Sequence, residues 1–96
     1  MSRIDIIRKL LSGRNQKCLE FLFPNHDSIT DENGEMDLER IERRIGVLSS
    51  GEQILCRVAM DIWGEYGKAE LFDICRRLDD GNFSRVIEAL KGFRNI

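Results

Sequence analysis

The sequence predicts an all-α fold, a single small domain of five to six short helices that spans residues 1–96. Apolar residues recur at helical spacing along nearly the whole chain. Proline occurs once, at Pro24, and no apolar–polar alternation of the kind that marks a strand lasts beyond a few residues. With 42% hydrophobic and 33% charged residues, the 96-residue chain has the composition of one globular domain with a thin core.

The first part of the chain reads as three short helices and one loop. Ser2 and Asp5 have the spacing of a capping box, which predicts a helix start there. A second helix carries Cys18 on its inner face and ends before Pro24. Residues 24–35 lack periodicity and are rich in turn formers and acids, so they predict an acidic loop before a third helix.

The segment LSSGEQ, residues 48–53, begins the helix with the strongest pattern. Ser49 with Glu52, and Ser50 with Gln53, both have capping-box spacing. Gly64 stands where a C-terminal cap belongs. The apolar stripe comprises Ile54, Leu55, Val58, Ala59, Ile62 and Trp63.

Two further helices are predicted after this one, the first over residues 68–78 and the second after the turn formers DDGN at 79–82. The predicted inward side chains are Leu71, Phe72, Cys75 and Leu78 in the first and Phe83, Val86, Ile87, Leu90 and Phe93 in the second. Short connections between three strong stripes make residues 48–93 the expected better-packed part.

LSSGEQ also resembles the signature loop of ABC ATPases, but the rest of an ATP site is missing from the sequence. A phosphate-binding loop requires G-x-x-x-x-G-K-[ST], and no such string occurs. The stretch at 12–17, SGRNQK, lacks the second glycine and the hydroxyl residue. A capped helix start explains the same residues, so we favour that interpretation.

Metal-binding motifs fail on their spacing. DENGEMDLE, residues 31–39, resembles the middle of an EF-hand loop, but aligning Gly34 with its fixed glycine places Ile29 and Arg40 at the two terminal ligand positions. His26 and the scattered cysteines give no close-spaced pair of zinc ligands. The sequence therefore predicts no metal and no cofactor.

The cysteines and the charge pattern argue against an enzyme. Cys18 and Cys75 lie on apolar stripes, whereas Cys56 lies near the edge of its stripe and is the one expected to be exposed. No carboxylate pair indicates acid–base catalysis. The lack of an export signal, of a membrane-spanning stretch and of paired cysteines predicts a cytoplasmic protein with reduced thiols.

Binding to another protein is the predicted function. Residues 21–40 carry six acids against one base, a net charge of −5 that suits a basic partner or imitates nucleic acid. Trp63 is a candidate anchor, although its stripe also suits the core. A homodimer is a second expectation, because self-association supplements a thin core. The predicted partner-binding residues are Asp27, Asp31, Glu32, Glu35, Asp37, Glu39 and Trp63.

Nucleic-acid binding is the alternative. Residues 68–93 read as helix, short break and helix, as in a helix-turn-helix. The net charge is +3 over residues 1–20 and +2 over residues 81–96, so the two ends could share a basic face. The candidate residues are Arg85, Lys91 and Arg94. The net charge of −3 over residues 61–80 argues against it.

The strings LSSGEQILCRVAMDIW and LFDICRRLDDGNFSRVIEAL resemble small proteins encoded by phages and integrative elements. The resemblance covers about residues 37–90 and brings no established activity, so no functional residue is carried over. It implies an accessory protein of a mobile element. Such proteins act by occupying a surface of a larger host complex, defence complexes included.

Overall fold

Six α-helices account for most of this computed structural model, which describes residues 2–22, 38–64 and 67–96. The helices are α1 (Arg3–Leu10), α2 (Gln16–Leu22), α3 (Leu38–Ile45), α4 (Ser50–Trp63), α5 (Leu71–Arg77) and α6 (Asp80–Arg94). A 3₁₀ turn at Gly13–Asn15 joins α1 to α2, and the described ranges contain no strand. The all-α prediction is confirmed. None of the described helices is long and apolar enough to cross a membrane.

The central helix of the fold is α4, which packs against α1, α2, α5 and α6. Seven of its 14 residues are buried: Ile54, Leu55, Cys56, Val58, Ala59, Met60 and Ile62. A helix that buries so much of its circumference needs neighbours on several sides, and the surrounding helices supply them. The apolar stripe predicted for this segment therefore forms the middle of the core.

The LSSGEQ segment begins α4 through a capping box. The Glu52 backbone N–H donates to Ser49 Oγ (3.3 Å), and the Ser49 backbone N–H donates to Glu52 Oε1 (3.1 Å). Gly64 ends the helix with a φ of 109°, a left-handed conformation that favours glycine. Ser49, not Ser50, is the cap, and the predicted helix start is confirmed.

The N-terminal helix closes against the C-terminal helix. α1 packs most extensively against α6 and next against α4, and it buries Ile7 and Leu10 almost completely. The Arg3 guanidinium donates to the Trp63 carbonyl oxygen (3.3 Å) and lies 5.9 Å from the centre of the Phe93 ring. Arg3 therefore links α1 to the end of α4 by a hydrogen bond and to α6 by a contact with the Phe93 ring.

A buried polar pair ties the 3₁₀ turn to α6. Asn15 Nδ2 donates to Asn82 Oδ1 (2.9 Å), and both side chains are buried. The Asn82 backbone N–H donates to Asp79 Oδ1 (2.7 Å), which makes Asp79 the N-cap of α6. Because an unpaired amide costs free energy in the interior, the pair fixes how α6 meets the turn.

The orientation of α5 differs from the prediction. Leu71, Phe72 and Cys75 were predicted to face the interior, but all three are exposed, so that prediction is wrong. Lys68 has a φ of 58°, which keeps it out of a right-handed helix, so α5 begins only at Leu71. The short helix reaches the core through Ile74 instead.

The buried side of α6 also departs from the prediction. Val86 is buried as expected, but the other buried positions are Asn82 and Ala89. Leu90 was predicted to face inward and is 44% exposed. The buried residues follow helical spacing. The side of α6 that packs against α1 carries fewer large apolar residues than the adjacent side of the same helix.

Candidate functional site

The connection between α4 and α5 is held by a carboxylate that accepts two backbone hydrogen bonds. Asp61 Oδ1 accepts from the Gly67 N–H (2.7 Å), and Asp61 Oδ2 accepts from the Ala69 N–H (3.1 Å). Gly67 lies so close to α4 that a Cβ there would overlap the Arg57 carbonyl oxygen. The chain after Gly67 is therefore fixed against α4 before α5 begins.

Arg57 joins three segments at the same place. Its guanidinium donates to Glu42 Oε1 (2.8 Å), to Glu42 Oε2 (2.9 Å) and to the Gly67 carbonyl oxygen (3.2 Å). The hydrogen bond from Arg57 lowers the pKa of the Glu42 carboxyl from its ordinary value. We call Glu42, Arg57, Asp61 and Gly67 the clasp. Sequence reasoning missed it, although glycines at 64 and 67 hinted at a tight connection.

Beyond the clasp, α5 carries an exposed apolar surface, which we call the α5 face: Leu71, Phe72 and Cys75. Leu71 is 77% exposed and Phe72 is 64% exposed. At 3.6 residues per turn the three positions lie within about 100° of one another on the helix. They continue the apolar arc whose other edge, Ile74 and Leu78, packs against the core. The core therefore covers only part of the apolar arc of α5.

The structure describes few of the acidic residues predicted to bind a partner. Glu39 is exposed on α3 and lies 3.7 Å from Arg43, an ordinary surface ion pair one helical turn away. Asp27, Asp31, Glu32, Glu35 and Asp37 lie outside the described residues, as does the predicted acidic loop at 24–35. Trp63 is half-buried and packs against the edge of the core. The Trp63 side chain therefore contributes to the packing of α4 and remains partly exposed at the surface.

The basic candidates are placed differently from one another. Arg85 Nη1 donates to the Ser12 carbonyl oxygen (2.7 Å), to Ser12 Oγ (3.2 Å) and toward the Leu10 carbonyl oxygen (3.5 Å), so it caps the end of α1. Lys91 Nζ lies 3.6 Å from Glu88 Oε1. Arg94 is exposed near the end of α6. Sequence reasoning did not foresee the capping role of Arg85.

Arg85 and Lys91 also line a groove of about 460 Å³ between α1 and α6, which we call the α1–α6 groove. Its α1 side is formed by Ile6, Lys9, Leu10 and Ser12. Its α6 side is formed by Ser84, Arg85, Glu88, Ala89, Lys91 and Gly92. Lys9 from the N-terminal segment and two of the three basic candidates thus meet along one concave surface, from which Arg94 is absent.

The cysteines are distributed unlike the prediction. Cys18 is buried as expected, but Cys56 is buried and Cys75 is exposed, so the predictions for these two were wrong. Cys56 faces α2, which its position near the edge of the α4 stripe did not indicate. A hydrogen bond between the thiols raises the pKa of Cys56 and lowers that of Cys18. Among the described residues, no three His, Cys, Asp or Glu side chains come close enough to hold a metal ion.

Comparisons of the chain with protein-family models, with curated proteins and with solved structures find no match. Among the described residues, the α5 face and the α1–α6 groove are candidate binding surfaces.

Proposed function

We propose that this protein is a non-enzymatic binding module that attaches to another protein through the α5 face. The observation that carries the proposal is the exposure of two large neighbouring apolar side chains, Leu71 at 77% and Phe72 at 64%. Covering each of them with a partner surface contributes about 1.5–3 kcal/mol. Large apolar residues at the centre of an interface provide much of its binding energy.

The clasp supports the proposal because it fixes α5 before a partner arrives. Asp61 holds the backbone at Gly67 and Ala69, and Arg57 holds the carbonyl oxygen of Gly67. Binding surfaces that are already ordered lose less conformational entropy on association. The α5 face is therefore a pre-positioned surface on a rigid scaffold.

The partner in this proposal is a protein of a larger host complex, and the chain is an accessory protein of a phage or mobile element. The resemblance of residues 37–90 to small proteins of such elements supports this context. The negative charge of the acidic residues between Asp27 and Glu39 would favour a partner with a basic surface. A cytoplasmic site of action belongs to the same proposal, as does a homodimer for the free protein.

The test compares Leu71→Asp/Phe72→Asp with Val47→Asp as the matched control. Val47 is 76% exposed and lies outside α5, so its replacement also adds a negative charge at an exposed apolar position, one charge against the two of the double variant. Tagged proteins are incubated with nuclease-treated host lysate, and captured proteins are quantified by mass spectrometry. We expect a stoichiometric protein to be captured by the wild type and the control and lost from the double variant.

Two outcomes would overturn the proposal. Equal capture by the double variant would remove α5 from the contact, and loss of capture after nuclease treatment would indicate a nucleic-acid bridge. Circular dichroism and urea unfolding of all three proteins show that any loss of capture is not a loss of folding.

Nucleic-acid binding is the second candidate, favoured by the meeting of Lys9, Arg85 and Lys91 along one groove. The test is a gel mobility shift of duplex and single-stranded DNA over a range of salt concentrations. This candidate requires a shift that weakens steeply with salt and is reduced by Lys9→Glu with Lys91→Glu. No shift at low salt would exclude it.

A further inference from the structure

The α1–α6 groove combines an apolar floor with a basic rim. Its volume of about 460 Å³ lies within the range of roughly 300–1,000 Å³ of ligand-binding pockets. The floor is formed by Ile6 and Leu10 of α1 and Ala89 of α6, which are only 1–6% exposed, and the rim is formed by the side chains of Lys9 and Arg85. Helix-binding grooves have this composition, because an inserted apolar side chain provides affinity and charges at the edge provide specificity.

The guanidinium of Arg85 is already held in position at this groove. One nitrogen, Nη1, makes all of its contacts to Ser12 and Leu10, which are neutral acceptors. Within the described parts of the chain, Arg85 forms no ion pair with a carboxylate. An arginine whose side chain is fixed in advance binds a carboxylate at a lower entropic cost than a mobile one.

Lys9 adds a second positive charge on the opposite wall. It is exposed on α1, and it forms no ion pair with the carboxylates that the structure describes. Lys91 is paired with Glu88 at 3.6 Å, so these two charges largely cancel. The rim therefore has net positive charge at Lys9 and Arg85, which complements an acidic ligand.

The shape of the groove favours a peptide over other anions. The groove is open to solvent, so it would leave much of a small amphiphile uncovered, whereas a partner protein covers the open side with its own surface. Single-stranded nucleic acid is disfavoured because none of the described lining residues is aromatic, which leaves unpaired bases without a stacking platform.

We propose that the α1–α6 groove binds an acidic amphipathic helical segment of a partner protein, with one apolar side chain lying over Ile6 and Ala89 and a carboxylate on Arg85 and Lys9. This site lies on different helices from the α5 face. Variants of one surface leave the other surface unchanged. The two proposals can therefore succeed or fail independently of each other.

The experiment selects ligands from a phage-displayed library of random 12-residue peptides on the immobilised full-length protein. We expect enriched peptides to carry Asp or Glu beside apolar residues spaced three or four apart. The synthesised winner is then titrated by fluorescence anisotropy, and its site is mapped by amide chemical shifts. Shifts confined to Ile6–Ser12 and Ser84–Gly92 support the proposal.

Two variants test the charge at the edge of the groove without removing the capping contacts of Arg85. Lys9→Glu reverses an exposed charge, and Ser84→Glu places a carboxylate at the edge of the groove, and we expect each to weaken binding about tenfold, which corresponds to roughly 1.4 kcal/mol. Arg76→Glu on α5 makes the same charge reversal away from the groove and should leave the affinity unchanged.

The proposal is overturned by any of three results: no enrichment above background, enrichment of basic or uncharged peptides, or chemical shifts that map outside the groove. Parallel titrations with decanoate and with a 20-base single-stranded DNA distinguish the other classes of anion. Tighter binding of either one than of the selected peptide, at the same groove, would also overturn it.

Discussion

Gly67 determines where α5 can lie, because its backbone rests directly on α4. A Cβ at this position would overlap the Arg57 carbonyl oxygen and lie 3.0 Å from both the Asp61 nitrogen and the Met60 Cβ. Two of these neighbours are backbone atoms, which cannot rotate aside. The hydrogen bond from the Gly67 N–H to Asp61 depends on the same close approach.

We therefore expect Gly67→Ala to lower the free energy of unfolding by about 3 kcal/mol, the upper end of the usual cost of overpacking. Gly51→Ala is the matched control, since a Cβ at Gly51 meets no atom within 4 Å and alanine favours the helix. Urea unfolding at pH 7 measures both. A Gly67→Ala variant as stable as the wild type would show that the connection does not rest on α4.

The three thiols should differ in reactivity because only Cys75 is exposed among them. With Ellman's reagent under native conditions, we expect one thiol to react rapidly and the other two only after unfolding in denaturant. Cys75→Ser should abolish the rapid phase. Retention of that phase in the variant would mean that Cys18 or Cys56 becomes accessible in the folded protein.

At the scale of the helices, α4 depends on its first turn. The cap at Ser49 and the carboxylate of Glu52 satisfy two backbone N–H groups that the helix itself leaves unpaired. Hydrogen bonds from the side chain and the backbone N–H of Ser49 to the Glu52 carboxylate lower the Glu52 pKa, so this carboxylate is ionised where the helix dipole favours negative charge.

We expect Ser49→Ala to destabilise the protein by about 1 kcal/mol, the usual cost of losing an N-cap. Ser50→Ala, one residue further on, should change stability by less than about 0.5 kcal/mol, because Ser50 is exposed inside the first turn. Thermal unfolding of the two variants measures the difference. Equal effects would place the helix start at a different residue.

The helices that local signals define were predicted well from the sequence, and their orientations were not. The capping box at Ser49, the left-handed Gly64 and the α4 stripe are read from neighbouring residues, so a sequence pattern contains them. The rotation of α5 depends on contacts that Arg57 makes with Glu42 and Gly67, 15 and 10 residues away. Periodicity shows that α5 has an apolar arc, but not which part of the arc the core covers.

The candidate surfaces could be predicted only in part, because they too depend on contacts between residues that are distant in the sequence. Charge counts for residues 1–20 and 81–96 indicated a shared basic region, and Lys9 and Lys91 do line one groove. The capping role of Arg85 at Ser12 joins residues 73 positions apart, and no local pattern encodes it. The sequence did not predict the α5 face, because its residues were assigned to the core.

The ion pair of Glu42 with Arg57 connects distant segments of the molecule, because it links α3 to α4 and to the chain before α5. Its partners are 38% and 24% exposed, so solvent screening limits the contribution to about 1 kcal/mol. The hydrogen bond from Arg57 lowers the Glu42 pKa in the folded state. A lowered pKa stabilises the folded protein above the unfolded-state value, and this contribution is lost as the pH falls through the folded-state value.

We expect the difference in unfolding free energy between the wild type and Glu42→Gln to be largest near pH 7 and to shrink between about pH 5 and pH 3. The variant isolates this pair, because the pKa of Asp5 and that of Glu52 are lowered as well and also contribute to acid sensitivity. Urea unfolding at a series of pH values measures the difference. A difference that stays constant down to pH 3 would contradict the assignment.

The packing of α1 against α6 has a consequence for synthesis on the ribosome. α1 packs more extensively against α6 than against any other described helix, and the amide of Asn15 pairs with Asn82, 67 residues later. The emerging chain therefore carries exposed apolar side chains near its beginning until α6 has been synthesised. We therefore expect α1 to reach its final packing only after α6 has emerged from the ribosome.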